Sequence, residues 1–171
     1  ARLGVLERFL TSLGRLAPAH RFAVELRQRV FYEPPLAHEV DALLASHGAD
    51  RCVIDTRALR DGDAGHPDVE AARHKKPDLP APPVAVGDRP MVRFIGHPDF
   101  AVSTPWIEHW AQVVAGWIAE GREPHCFIHL PDNRRAPQLA REFHRAVRRH
   151  TGDAQLPPTP ADAEPSPRQL I

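Results

Sequence analysis

The sequence of 171 residues contains little cysteine, no long apolar run and no excess of either charge, and each shortage excludes a class of protein. Its two cysteines, Cys52 and Cys126, lie in apolar runs typical of strands. We therefore expect buried free thiols rather than the disulfides of a small secreted domain. No stretch approaches the roughly 20 continuous apolar residues of a membrane-spanning helix, and no signal-peptide pattern is recognised in the first residues. These features predict a cytoplasmic protein with no membrane partner.

The net charge is close to zero because 22 basic residues balance 22 acidic ones. Proteins that bind nucleic acid generally carry a clear excess of positive charge. The arginines Arg145, Arg148 and Arg149 are therefore interpreted as solvated residues of the last helix, and nucleic acid is not an expected partner. The sequence also lacks the GxSxG pattern of serine hydrolases and any glycine-rich phosphate loop.

The eleven histidines do not form a recognisable metal-binding pattern. The segment HEVDALLASH, from His38, lacks the second histidine of the HExxH motif because position 42 is alanine. His125 and His129 are four residues apart, which separates them by roughly 13 Å along a strand. We predict no metal site, and the sequence leaves any other cofactor undetermined.

Short apolar runs alternate with amphipathic helical patterns along the chain. Four runs are typical of strands: RFAVELR, RCVIDT, MVRFIG and PHCFIHL. Their alternation with helices, one of which is predicted to start at Pro105, indicates an α/β fold of parallel strands. The connection over residues 56–89 is exceptional, because we expect at most one short helix in it, near residues 67–75. Its length predicts a lid or binding element.

Residues 1–150 are predicted to form one domain, followed by a proline-rich tail over residues 151–171. The first residues already have a helical pattern and do not include an initiator methionine. We interpret this as a fragment or a processed product.

Ionisable residues share one face of each predicted strand. Side chains alternate along a strand, so residues two apart point the same way. By this rule three of the runs carry pairs of ionisable residues on one face: Glu25 with Arg27, Arg93 with His97, and His125 with His129. The run RCVIDT carries only Asp55 near its end. In parallel α/β folds, ligands bind at the C-terminal ends of the strands. We therefore expect these groups to converge, with Arg93 pairing with Glu25 or Asp55. The alternative is a purely structural network of buried ion pairs.

Five segments resemble the YecE-like proteins, a family described as a domain of unknown function. They are FAVELRQRVF, RCVIDTRAL, ARHKKPDLP, MVRFIGHPDF and FIHLPDNRRAPQLAREF, and the resemblance runs from about Leu13 to the C-terminus. It implies a TIM-type (β/α) barrel in which residues 1–150 supply strands 5–8, the C-terminal half. Because half a barrel leaves unpaired strand edges, the resemblance also implies a partner, either the N-terminal half-barrel or a second copy.

The resemblance assigns family motifs to several of these positions. Glu25 and Arg27 match the glutamate–arginine pair of the family, and Asp55 matches the aspartate that ends its next strand. Arg93 and Gly96 match its arginine–glycine motif. The chain departs from the family pattern at His129, where asparagine residues are common.

The predicted function is an enzyme that uses acid/base chemistry on a small polar or anionic molecule at the C-terminal mouth of the barrel. The candidate catalytic residues are Glu25, Asp55, His97 and His129. The candidate substrate-binding residues are Arg27, Arg93, Gly96, Lys75 and Lys76. The alternative is a non-catalytic small-molecule-binding or scaffold barrel, and the sequence alone does not decide whether the protein is an enzyme.

Overall fold

Four parallel strands form one sheet, in the same order as they occur in the chain. The computed structural model describes residues 2–63 and 65–152. The strands are β1 (Ala23–Glu25), β2 (Asp50–Asp55), β3 (Met91–Ile95) and β4 (His125–His129). The α-helices are α1 (Arg2–Leu16), α2 (Leu36–Ser46), α3 (Arg57–Asp61), α4 (Pro67–Lys75), α5 (Phe100–Ala119) and α6 (Ala136–Thr151). The predicted α/β class is therefore confirmed.

Helices α5 and α6 cover one face of the sheet, which we call the outer face. Val92 and Phe94 of β3 project into this layer and are fully buried together with Trp110 of α5 and Leu139 of α6. Burying each of these large apolar side chains contributes roughly 1.5–3 kcal/mol. The apolar stripes of the two helices thus fix the outer face as the main core.

Helix α5 begins earlier than its sequence pattern predicts. The start predicted at Pro105 is wrong, because the carboxylate of Asp99 accepts a hydrogen bond of 3.0 Å from the amide of Ala101 and caps a helix that begins at Phe100. Pro105 therefore lies inside the helix, where it removes one backbone hydrogen bond.

The long connection contains α3 and α4 and then returns to β3 as an irregular segment. The expected helix near residues 67–75 is confirmed as α4, but the expectation of at most one helix is wrong, because α3 precedes it. Val69 and Ala72 of α4 pack against Ile54 and Ile95 on the face of the sheet opposite α5 and α6, which we call the inner face. The connection therefore lies over the C-terminal ends of β2 and β3.

The returning segment, residues 76–90, is held by a carboxylate at the other end of the sheet. Asp50, the first residue of β2, accepts hydrogen bonds from the amides of Gly87 (2.6 Å) and Arg89 (3.2 Å). Apart from Thr151 and Gly152, the proline-rich tail predicted over residues 151–171 lies outside the described residues. Within the described ranges, the helices are all too short or too polar to cross a membrane.

Candidate functional site

The register of the strands decides which ionisable residues share a face. Glu25 of β1 pairs with Cys52 of β2, while Ile54 of β2 pairs with Arg93 of β3. Side chains that are partners in a parallel register project from the same face of the sheet, and Ile54 packs under α4 on the inner face. Glu25 and Arg93 therefore both lie on the inner face.

Glu25 and Arg93 form the central ion pair of this face. Nη1 of Arg93 lies 2.7 Å from Oε2 of Glu25, and both side chains are largely shielded from solvent. The second oxygen, Oε1, is 3.7 Å from Nε of Arg27, which also donates a 3.2 Å hydrogen bond from Nη2 to the carbonyl of Lys75. The expected pairing of Arg93 with Glu25 is therefore observed, and two guanidinium groups share one carboxylate.

Asp55 lies on the outer face, so the expectation that it would join this cluster is wrong. Its fully buried carboxylate binds the guanidinium of Arg57 through both oxygens and accepts a 2.6 Å hydrogen bond from Nε1 of Trp110. The physical reason is alternation: Ile54 faces Arg93, so the next residue must face the helices.

His97 is also separate from the cluster, because β3 ends at Ile95 and strand alternation does not extend to it. Its Nδ1 accepts a hydrogen bond of 3.0 Å from the amide of Asp99, and its Nε2 lies 3.4 Å from the carbonyl oxygen of Asp63. Both nitrogens of this buried ring are thus engaged by backbone groups. The side chain joins two loops, and this position does not support the predicted catalytic role of His97.

Gly96 is required for close packing between the sheet and α6. A Cβ atom at this position would lie 2.5 Å from Cδ2 of Leu139 and 3.0 Å from Oγ of Ser103. Its amide donates a 2.9 Å hydrogen bond to the carbonyl of His129, which continues the pairing of β3 with β4. The absence of a side chain therefore allows α6 to approach the sheet.

His129 and Lys76 lie close enough to this ion pair for their charges to be coupled to it. Burial lowers the pKa of His129, and the positive charges of Arg93 and Lys76 lower it further, while Glu25 opposes the change. Burial likewise lowers the pKa of Lys76, with added repulsion from Arg93 and Arg27 and a partial offset from Glu25. The neutral imidazole is thus favoured beside a group of cations.

A cleft of about 270 Å³ opens between α4 and the loop that follows β4. Its polar lining consists of Asp68, Lys75, Lys76, His129 and Asn133. Sequence reasoning identified the two lysines and the histidine but missed Asp68 and Asn133. The seven-residue spacing of Asp68 and Lys75, which places both on one helical face, was the available signal.

The other pockets in the described part of the chain lie away from Glu25, Arg93 and His129. One of about 370 Å³ surrounds Asp50 and Gly87 at the N-terminal end of the sheet, and one of about 400 Å³ lies between α5 and α6. Neither is lined by Glu25, Arg93 or His129. We therefore place the candidate site at the α4 cleft and the adjoining ion pair, on the strength of their chemistry.

Cys52 lies beside this ion pair but is not suited to nucleophilic chemistry. Burial raises the pKa of its thiol to about 11, and the negative charge of Glu25 adds to this effect, while Arg93 opposes it. The thiolate, which is the reactive form, is therefore scarce at neutral pH. Across residues 2–63 and 65–152, no group of three or more histidine, cysteine or acidic side chains is arranged to hold a metal ion.

A family model described as "Protein of unknown function DUF72" matches residues 1–164. The chain belongs to the DUF72 family. It is 30% identical over 131 residues to UPF0759 protein YecE of Escherichia coli strain K12, and 29% identical over 131 residues to that of strain O157:H7. The resemblance to YecE-like proteins is thus confirmed. Each match covers 74% of this chain and 47% of the relative, so the chain spans about half the length of these curated relatives.

Solved structures of the DUF72 family show the same fold. Two crystal structures of a DUF72 family protein from Enterococcus faecalis V583 superimpose with TM-scores of 0.57 and 0.55 at 14% and 15% identity. The matches cover 90% and 83% of this chain but 56% and 53% of those proteins. At such identities the likeness concerns the fold alone, and it is consistent with a TIM-type barrel.

Proposed function

We propose that the chain is part of a (β/α) barrel that binds a small anionic molecule at the C-terminal ends of its strands. The observation that carries this proposal is the excess of positive over negative charge around Glu25 on the inner face. Arg27 and Arg93 share the single carboxylate of Glu25, and Lys76 adds a third positive charge that these arginines repel. An anion from solution would relieve this repulsion, as in other sites where cationic side chains bind carboxylate or phosphate groups.

The same arrangement supports acid/base chemistry at His129. A histidine with a lowered pKa is a neutral imidazole at pH 7 and can therefore accept a proton from a bound molecule. Arg93 would stabilise the negative charge that forms when that proton leaves. Glu25 would orient the guanidinium of Arg93, because the carboxylate is already committed to this ion pair.

We propose further that the barrel is closed by another four-stranded segment, supplied by the same polypeptide or a separate one. Among the described residues, the exposed large apolar side chains lie at the two ends of the sheet order: Val5, Phe9 and Leu16 on α1, and Phe127 on β4. The described part of the chain pairs β1 only with β2, and β4 only with β3, so each of these strands has one free edge. Eight parallel strands would remove both edges.

The positions of the helices favour a complementary segment over a second copy. Leu3 and Leu6 of α1 pack in a cluster with Val24 of β1, while α6 contacts β4. In a twofold dimer, β1 of one copy would pair with β4 of the other. The α1 of the first copy and the α6 of the second would then both cover this contact between strands, although a barrel has room for one helix per strand. A segment that begins and ends with a strand would avoid this overlap.

Inorganic phosphate can serve as the probe for the anion site, with binding measured by isothermal titration calorimetry. Wild-type protein should bind phosphate, and Arg93→Met and Lys76→Gln should each weaken binding at least tenfold. Arg145→Met is the matched control, because Arg145 forms an exposed ion pair with Glu142 on α6. The proposal would be abandoned if wild type bound no phosphate, or if both site variants bound it as well as the control.

A further inference from the structure

The cleft of the proposed anion site carries opposite charges at the two ends of one helix. Asp68, Ala71, Ala72 and Lys75 line it from α4, with the spacing of a single helical face. Asp68 lies in the first turn and Lys75 in the last, so a rise of 1.5 Å per residue separates them by roughly 10 Å. The cleft is therefore acidic at one end of α4 and basic at the other.

These charged groups have no close partner of opposite charge among the described residues. In the described part of the chain, the ammonium groups of Lys75 and Lys76 make no hydrogen bond or ion pair. The carboxylate of Asp68 approaches Nδ1 of His66 no closer than 3.9 Å. The helix dipole favours an acid at the start of α4 and a base at its end. However, the dipole does not require both residues to face the cleft.

The opposite wall, formed by the loop after β4, supplies a neutral hydrogen-bonding group and apolar surface. Oδ1 of Asn133 accepts a 3.4 Å hydrogen bond from the amide of Leu130, which leaves the Nδ2 hydrogens as donors toward a ligand. Ile95, Leu130 and Pro131 provide the apolar lining. A carboxylate acceptor together with an amide donor suits hydroxyl groups, which both donate and accept, while the apolar lining suits C–H groups.

We infer that this cleft binds a phosphorylated or carboxylated polyhydroxy compound. Its anionic end lies at Lys75 and Lys76, and its hydroxyl groups are recognised by Asp68 and Asn133. This inference rests on the proposed anion-binding function and specifies the substrate class. The cleft volume of about 270 Å³ falls just below the range of roughly 300–1,000 Å³ usual for small-molecule sites. It therefore favours a ligand of five or six carbons over a nucleotide.

Calorimetric titration of the 171-residue chain with ribose 5-phosphate, inorganic phosphate and ribose tests the inference. Ribose 5-phosphate should bind at least tenfold more tightly than inorganic phosphate, and ribose should bind far more weakly than either. Asp68→Asn should remove most of the advantage of ribose 5-phosphate without weakening phosphate binding, while Lys75→Gln should weaken both. Glu70→Gln is the control, because Glu70 is an exposed acid of α4 that does not line the cleft.

The outcomes separate this inference from the proposed function. If phosphate binds but ribose 5-phosphate binds no more tightly, the substrate class is wrong and the anion site stands. Equal loss of ribose 5-phosphate binding in Asp68→Asn and Glu70→Gln would also overturn the role of Asp68. Failure of both anions to bind would overturn the proposed function together with the inference.

Discussion

The indole Nε1 of Trp110 donates a hydrogen bond of 2.6 Å to Oδ2 of Asp55 on the outer face of the sheet. Both side chains are fully buried, and Arg57 completes the neutralisation of the carboxylate. A buried charge is tolerated only when such partners satisfy it. Asp55 therefore acts within the structural core, despite its position at the C-terminal end of a strand.

Replacement of Trp110 by phenylalanine should lower the free energy of unfolding by about 1–3 kcal/mol, since a buried carboxylate loses a donor. Urea denaturation followed by circular dichroism measures this loss. Trp106→Phe is the matched control, because Nε1 of Trp106 donates to the exposed Asp61 and its loss should cost less. Equal destabilisation by the two substitutions would show that the buried hydrogen bond has no special weight.

Gly96→Ala should destabilise the protein by about 1–3 kcal/mol, because the added methyl group would overlap the side chain of Leu139. The control is Gly116→Ala in the last turn of α5, where nothing lies within 4 Å of the added atom. That substitution should stabilise the helix by up to about 1 kcal/mol. Thermal or urea unfolding of both variants compares them, and a neutral Gly96→Ala variant would contradict the packing role.

The lowered pKa of His129 predicts a loss of stability in mild acid. Histidine in the unfolded chain titrates near pH 6.5, so below this pH the unfolded state binds a proton that the folded state resists. The free energy of unfolding should therefore fall as the pH decreases below about 6.5, and should not respond to this group at higher pH. His109, whose pKa burial also lowers, adds to the same slope.

The contribution of His129 to the pH dependence of the free energy of unfolding is measured by urea denaturation between pH 5 and pH 8. His129→Gln should reduce the slope below pH 6.5, whereas His74→Gln, at an exposed position on α4, should leave it unchanged. An unaltered slope in the His129 variant would disprove the coupling of this imidazole to its cationic neighbours.

The thiols of Cys52 and Cys126 should react slowly with Ellman's reagent at pH 8 while the protein is folded. Burial raises their pKa to about 11 and about 12, so the reactive thiolate is scarce at both positions. Cys52 is also shielded from solvent, whereas Cys126 is only partly buried, so the expectation that both thiols are buried holds for Cys52 alone. Addition of denaturant should release both thiols for rapid reaction. Reaction of the folded protein at the rate of a free thiol would contradict the described burial.

The free edge of β4 predicts an alternating pattern of hydrogen exchange. The amide of His125 is bonded to the carbonyl of Pro90, so in a parallel strand the amides of Cys126 and Ile128 point away from β3. These two amides should exchange rapidly, and that of Phe127 slowly, in NMR experiments on the isolated chain. Protection of Cys126 and Ile128, together with a doubled mass in light scattering, would instead indicate closure by a second copy.

The fold was predictable because strand and helix periods are clear, but the site was only partly so. The alternation of side chains showed which residues share a face within each strand, such as Glu25 or Arg93. The sequence does not, however, give the register between neighbouring strands, which decides whether the two residues lie on the same face of the sheet. All six residues of β2 are buried, so hydrophobicity could not show which face Asp55 would take. The roles of Gly96 and Asn133 depend on contacts with distant elements, which no local pattern reveals.

The hydrogen bond between the Gly96 amide and the His129 carbonyl links the candidate base to a residue without a side chain. The side chain of Leu139 can pack against the backbone of Gly96 only because Gly96 has no side chain. In relatives with a bulkier residue there, the last helix would have to move outward and take the neighbouring loop with it. The presence of the charged site residues alone is therefore a poor guide to which family members share this chemistry. A glycine at the position of Gly96 is the better marker.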